Sequence, residues 1–198
     1  MGYYIRVLAA KADEIPIGVL REAAKPAVLE IATGSDDSWS ELILSHESGD
    51  EIAIIERNPV VDGELGAEEL EEFLDEVTDC KPDSGAAWLK QYLPTVKVVY
   101  AFQLLAGTEI DDGWTPLHSV HAKVWNLAGG ILQSDGEGFS NADGYTILWQ
   151  FSESVSGPWN CAVLNGDGEW VKFEIDLASL EQREAFQSGQ VPDGAKLI

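Results

Sequence analysis

The chain has 198 residues, 35 acidic against 12 basic for a net charge of −23, and is 45% hydrophobic with seven tryptophans. That apolar content is enough for a folded core and excludes a disordered chain. The charge disfavours nucleic-acid phosphates and anionic membrane surfaces, both of which are held through Lys and Arg, and leaves a cation or a basic protein as the favoured partner. Only Cys80 and Cys161 are present, too few for a disulfide scaffold, and Cys161 falls in an apolar strand where a reduced, buried thiol is expected. The start, MGYYIRVLAA, lacks the basic and long apolar regions of a signal peptide. Arg6 stands where a myristoylation signal needs Ser or Thr. No apolar run is long enough to span a bilayer. A cytoplasmic protein is expected.

Tyr3 to Ala9 alternates as a strand, with Tyr3, Ile5 and Val7 on one face. Pro16 opens and Pro26 stops a short helix whose buried stripe is Ile17, Leu20, Ala23 and Ala24. Ala27 to Thr33 is a second strand. Trp39 to Ser45 and Glu51 to Arg57 form a hairpin around His46–Asp50, with Leu42 and Leu44 on one face of the first arm and Ile52 and Ile54 on one face of the second.

Ala67 to Thr78 is the clearest helix. Leu70, Phe73, Leu74 and Val77 make its apolar stripe. The rest of its surface, Glu68, Glu69, Glu71, Glu72, Asp75 and Glu76, contains no Lys or Arg. Lys81-Pro82-Asp83-Ser84-Gly85 reads as a break and as the boundary between an N-terminal α+β half, 1–82, and a C-terminal one, 83–198, either separate or fused into one compact domain. Ala86 to Leu93 is a short helix. Val96 to Leu105 is apolar on both faces and therefore a central, covered strand.

Thr115 is the expected N-cap of a helix in which Pro116 takes the first position and Gly129-Gly130 the stop. Leu117, His121, Val124, Trp125 and Ala128 project to one side of it. A glycine- and carboxylate-rich stretch, Ser134 to Gly144, follows as a loop before a strand, Tyr145 to Phe151. Asn165-Gly166-Asp167-Gly168 joins Trp159–Leu164 to Glu169–Leu177 as a hairpin, with Val171, Phe173, Ile175 and Leu177 inward. Leu180 to Gln187 is a helix, and the tail from Gly189 is loop. The predicted fold is α+β: mainly antiparallel sheet with helices packed on one face, its order suggesting two similar β-α-β-β-β-α-like halves.

Several groupings bear on chemistry. Asp135, Glu137, Asn141 and Asp143 place four oxygen donors within nine residues, the ligand type of hard cations, but their spacing does not match an EF-hand; turn capping explains the same residues. His118 and His121 are three apart on one helix, without the adjacent Glu and four-residue spacing of the zinc helix. His121 lies in the apolar stripe as a core imidazole, whereas His118, near Trp125, is the one imidazole placed for acid–base work. His46, at a hairpin tip, is read as plain surface. Asp111-Asp112 and Asp135/Glu137 are close carboxylate pairs of the sort that 35 acids produce by chance. No G-x-S-x-G, P-loop, dinucleotide fingerprint or C-x-x-C occurs. Neither a catalytic constellation nor a cofactor or metal is expected.

Trp114 and Trp170 stand beside loops as candidate anchors; Trp170 is out of phase with Val171, Phe173 and Ile175 and faces away from the inner surface unless a helix covers it. In composition, though by no shared motif, the chain is similar to small acidic bacterial proteins such as immunity proteins that present acidic faces to basic nucleases. The leading expectation is a non-enzymatic module that engages a basic protein through the helix Glu64–Asp79 or the loop Asp135–Asp143. The alternative is a small-molecule hydrolase or ligand-binding protein with its site near the 129–145 loop, at Trp114, His118 and Asp135. A nucleic-acid mimic, with acids in two rows at phosphate spacing, is a third class.

Overall fold

The computed structural model describes residues 2–110 and 112–198; Met1 and Asp111, and with the latter the Asp111-Asp112 pair, lie outside the described residues. In chain order the elements are β1 (Tyr3–Ala9), α1 (Ile17–Ala24), β2 (Val28–Ser35), β3 (Ser38–Ser45), β4 (Glu51–Pro59), α2 (Leu65–Glu76), α3 (Asp83–Tyr92), β5 (Val98–Leu104), α4 (Trp114–Ala128), β6 (Ile131–Ser134), β7 (Gly138–Ser140), β8 (Thr146–Trp149), β9 (Pro158–Leu164), β10 (Trp170–Asp176), α5 (Leu180–Gln187) and β11 (Lys196–Leu197). The class is α+β with mainly antiparallel pairing. Among the described residues no helix is long and apolar enough to cross a membrane. The chain forms two compact units, Met1–Glu68 with Val96–Gly130, and Glu69–Thr95 with Ile131–Ile198.

In the first unit the strand order is β1-β5-β4-β3-β2, every pair antiparallel. β5 is an interior strand, paired on both edges with β1 and β4, and Val98 to Phe102 are all buried, as a strand apolar on both faces requires. The registers put Val7, Tyr100, Phe102, Ile55, Leu42 and Leu44 on one face. α1 and α4 pack on each other, and α4 sets His121 edge-on to Phe102, ring centroids 5.0 Å apart. Trp39 leans on Tyr100 at 6.0 Å and donates its indole N–H to the Ile15 carbonyl, 2.9 Å away, so the buried ring leaves no polar atom unsatisfied.

The hairpin differs from the expected facing. A bulge between Leu44 and Ser45 sets Leu44 opposite Ala53 and Leu42 opposite Ile55. One extra residue, Ile52, is thereby added to the returning arm. A one-residue offset flips every later side chain to the other face, so Ala53 and Ile55 point inward in place of Ile54.

In the second unit the order is β6-β7-β8-β9-β10-β11, antiparallel except for β8–β9. Cys161, Val163, Phe173, Ile175 and Leu177 form a core with Phe151 and with Phe186 of α5. Trp170 lies three residues from Phe173 on an unbulged strand and so on the opposite face. There α3 covers it: Trp88 meets Trp170 edge-on at 5.4 Å and stacks on Tyr92 at 5.0 Å.

Four local expectations are corrected. The 81–85 stretch ends the preceding helical run only through Pro82, Cys80 to Pro82 being non-helical; Asp83 to Gly85 instead open α3, whose first i to i−4 bond runs from Ala86 N–H to the Pro82 carbonyl. α4 begins at Trp114, one residue before the proposed Thr115 cap; the Thr115 hydroxyl donates to the Asp112 carboxylate, 2.9 Å away, instead of capping. The Ser134–Gly144 run is two tight turns around a short strand, β7, and β8 stops at Trp149. The tail returns as β11, pairing Leu197 with Phe173 and Lys196 with Glu174.

Candidate functional site

α2 is built from opposing tendencies. Leu70 and Phe73, followed by Val77 in the next turn, are buried, and Phe73 meets Phe139 edge-on at 5.5 Å. The outward surface carries Glu68, Glu71, Glu72, Asp75 and Glu76, all exposed, none in an ion pair among the described residues. Like charges four apart (Glu68/Glu72, Glu71/Asp75, Glu72/Glu76) together cost roughly 1 kcal/mol, and acids in the last turn oppose the helix dipole. Burying three large apolar side chains contributes about 1.5–3 kcal/mol each. Packing therefore wins, and the helix is held with an unneutralised anionic face. Its first residue, Leu65, is 51% exposed at the end of that face.

The four oxygen donors of the glycine-rich stretch fall in two turns. Asp135 and Glu137 lie in the β6–β7 turn, where Asp135 accepts from Gln133 Nε2 at 3.4 Å, and Asn141 and Asp143 lie in the β7–β8 turn. From Glu137 to Asn141 the chain runs along β7, a span of roughly 13 Å at the usual strand rise. Among the described residues no group of three or more His, Cys, Asp or Glu could hold a metal ion.

Asn141 is 2% exposed, and its Oδ1 accepts from the N–H groups of Asp143 and Tyr145 at 3.1 and 3.0 Å. Asn165 does the same for Asp167 and Glu169 at 3.0 and 2.9 Å, so the two Asn-x-Asp-Gly turns share one wiring. Gly144 and Gly168 close them at φ 82° and 81°, a conformation that favours glycine. Asp143 is paired with Lys172, 2.8 Å away, and Lys172 also stands 5.1 Å from the Tyr145 ring centre. The bond to Asp143 raises the lysine's pKa.

Trp114 and His118 share the first turns of α4 in the first unit, both exposed, with ring centroids 5.4 Å apart. Asp135 belongs to the second unit. His121, one turn on, is half-buried; its Nε2 is buried without a hydrogen-bond partner. Burial, with a smaller contribution from the charge of His118, lowers its pKa from 6.5 to about 4. His46 is not plain surface: it is half-buried, and its Nε2 lies 2.8 Å from the Gly107 carbonyl, so that nitrogen donates and the tautomer is set. Cys161 is free and fully buried, its thiol pushed up to about 12 by burial, which makes it a poor nucleophile. Trp170, half-buried under Trp88, is a packing residue on the face away from Phe173.

The molecule is thus an α+β protein with a one-signed helix surface and two asparagine-wired hairpins. No family model, no curated protein and no solved structure matches the chain.

Proposed function

We propose that the protein is a binding module whose α2 face docks a basic protein partner. The observation that carries this reading is the row of exposed, unpaired carboxylates on α2 beside the exposed Leu65. Such a face raises encounter rates with cationic surfaces, while an apolar residue at its end supplies contact area that charge alone does not. Pairs formed at the rim of such an interface contribute roughly 0.2–1 kcal/mol each and weaken with salt.

The test is affinity capture from extract of the source cells at low and high salt, with wild type beside E68K/E71K/E72K/D75K. Lysine keeps helix propensity; the like-charge pairs at 68/72 and 71/75 persist with reversed sign at about the same cost, while 72/76 becomes an opposite-charge pair, so the variant folds. The expected outcome is a basic protein retained at low salt, released at high salt and lost by the variant by roughly tenfold or more. Salt-independent capture, equal capture by the variant, or no captured protein overturns the proposal.

A further inference from the structure

At one end of the first unit's sheet, the β3–β4 turn and the lead-in to β2 lie beside the start of α4 and leave a cavity of about 330 Å³. The volume lies within the roughly 300–1,000 Å³ of small-molecule sites. Pro26, Ala27 and Pro116 give the cavity apolar walls. The polar side chains lining it are His46, Glu47 and Ser48 from the turn and Asp112 and Thr115 from the start of α4. All of these residues belong to the first unit.

The donor hydrogens of these side chains are already committed. His46 donates from Nε2 to the Gly107 carbonyl at 2.8 Å, which leaves Nδ1 as an acceptor. Ser48 donates its hydroxyl to the Asp50 carboxylate at 2.8 Å, and Thr115 to Asp112 Oδ1 at 2.9 Å. Among the described residues, His46 Nδ1, the Glu47 carboxylate and Asp112 Oδ2 have no hydrogen-bond or ion-pair partner, and His46 Nδ1 is open to solvent. The helix start adds no free donor at Thr115 or Pro116. Thr115 N–H is bonded to the Asp112 carbonyl at 3.1 Å, and Pro116 has no N–H.

The lining side chains therefore offer acceptors and no open donor hydrogen, and no Lys or Arg is among them. Anions are repelled, and a cation that donates hydrogen bonds is favoured. A bare metal ion does not fit, because among the described residues no group of three or more His, Cys, Asp or Glu could hold one. A quaternary ammonium has no N–H to donate, and no Trp, Tyr or Phe lines the cavity to receive it. A primary alkylammonium meets the whole lining. Its N–H donors reach acceptors about 2.7–3.2 Å from the nitrogen, and its methylenes exchange water for proline and alanine. We infer that this cavity binds a primary alkylammonium group, with His46 Nδ1 and the carboxylates of Asp112 and Glu47 accepting its N–H groups and Pro26 and Pro116 flanking its carbon chain. This site is independent of the α2 face and stands or falls separately from it.

The test is an NMR titration of the full chain at about 0.15 M sodium chloride, which screens non-specific attraction to the net charge of −23. The probes are n-butylamine, putrescine and Nα-acetyl-lysine N-methylamide, with n-butanol and butyrate as controls of similar size. The amines are expected to shift the His46 ring and the Thr115 amide saturably at millimolar concentration, and the controls to leave both in place. Affinity should fall about tenfold in Asp112→Asn and in Glu47→Gln and stay unchanged in Glu181→Gln on α5. Both substitutions remove charge at exposed positions and keep volume, and the wild-type titration depends on neither. Tighter binding of putrescine assigns a free amine as the ligand, tighter binding of the lysine derivative assigns a lysine side chain, and either result supports the site. No shift at His46 and Thr115 from any amine, equal shifts there from butanol, shifts spread over the acidic surface without saturation, or unchanged affinity in the E47Q/D112N double variant overturns the inference.

Discussion

Protonation of His121 is expected to set a specific acid sensitivity in the first unit. The folded state holds this imidazole neutral down to about pH 4, whereas the unfolded chain protonates it near 6.5. Above 6.5 both states are neutral and the contribution is constant. As pH falls from 6.5 the unfolded chain takes up a proton that the folded state refuses, so stability is lost progressively, and the loss is complete once pH passes the folded pKa. The whole effect is about 3 kcal/mol, of which about 2 kcal/mol falls between pH 7 and pH 5. In that window most carboxylates are still ionised, so relief of the −23 self-repulsion contributes little. Replacing His121 with Leu costs no hydrogen bond through Nε2, which has none, and keeps an apolar group against Phe102. Urea unfolding at pH 7 and pH 5 should show wild type losing about 2 kcal/mol more than His121→Leu. Equal losses in the two proteins, or an NMR titration of His121 with a midpoint near 6.5, would refute the reasoning.

Three further outcomes follow from the packing. Asn141→Ala strips two backbone N–H groups of their acceptor inside a buried turn and should cost about 2–3 kcal/mol, clearly more than Asn165→Ala in the identically wired but more exposed turn; denaturant midpoints of the two variants give the comparison. Gly138 sits at φ 113° with space for a Cβ only 2.1 Å from the Leu148 carbonyl oxygen, so Gly138→Ala should destabilise by several kcal/mol, on the order of the largest single-residue effects, while Gly166→Ala, with open space around it, should change the melting temperature little. Cys161 should not react with a thiol reagent at pH 8 until the chain is unfolded, because it is fully buried and its thiol is held up at about 12; rapid modification of the native protein at Cys161, located by mass spectrometry, would contradict this.

The candidate surfaces differ in how far they could be seen in advance. The anionic face of α2 needs only its own twelve residues: four-residue spacing puts the acids outward wherever Leu70 and Phe73 are buried. The cavity at the β3–β4 turn is assembled from positions 26, 27, 46, 47, 48, 112, 115 and 116, and no local pattern links a histidine at 46 to an aspartate at 112 before His46 bonds Gly107 and α4 starts alongside. The four donors at 135–143 look like one cluster in the linear chain. β7 separates them because three residues are too few to show a period, and Gly138 conceals a strand whose backbone runs close to Leu148.

Alternation and helical spacing were sufficient for β1, whose observed span is Tyr3–Ala9, for α5, Leu180–Gln187, and for the interior placement of β5. These depend on interactions within a few residues and on how much apolar surface a segment must hide, both written in the local sequence. Tertiary structure alone decided that β5 enters between β1 and β4, that a bulge at Ile52 turns Ala53 and Ile55 inward, that Trp88 covers Trp170, and that the tail returns as β11. Each depends on a partner distant in the chain. An unpaired strand edge or an uncovered indole does not specify which distant segment will satisfy it, and that choice is made only when the whole core closes.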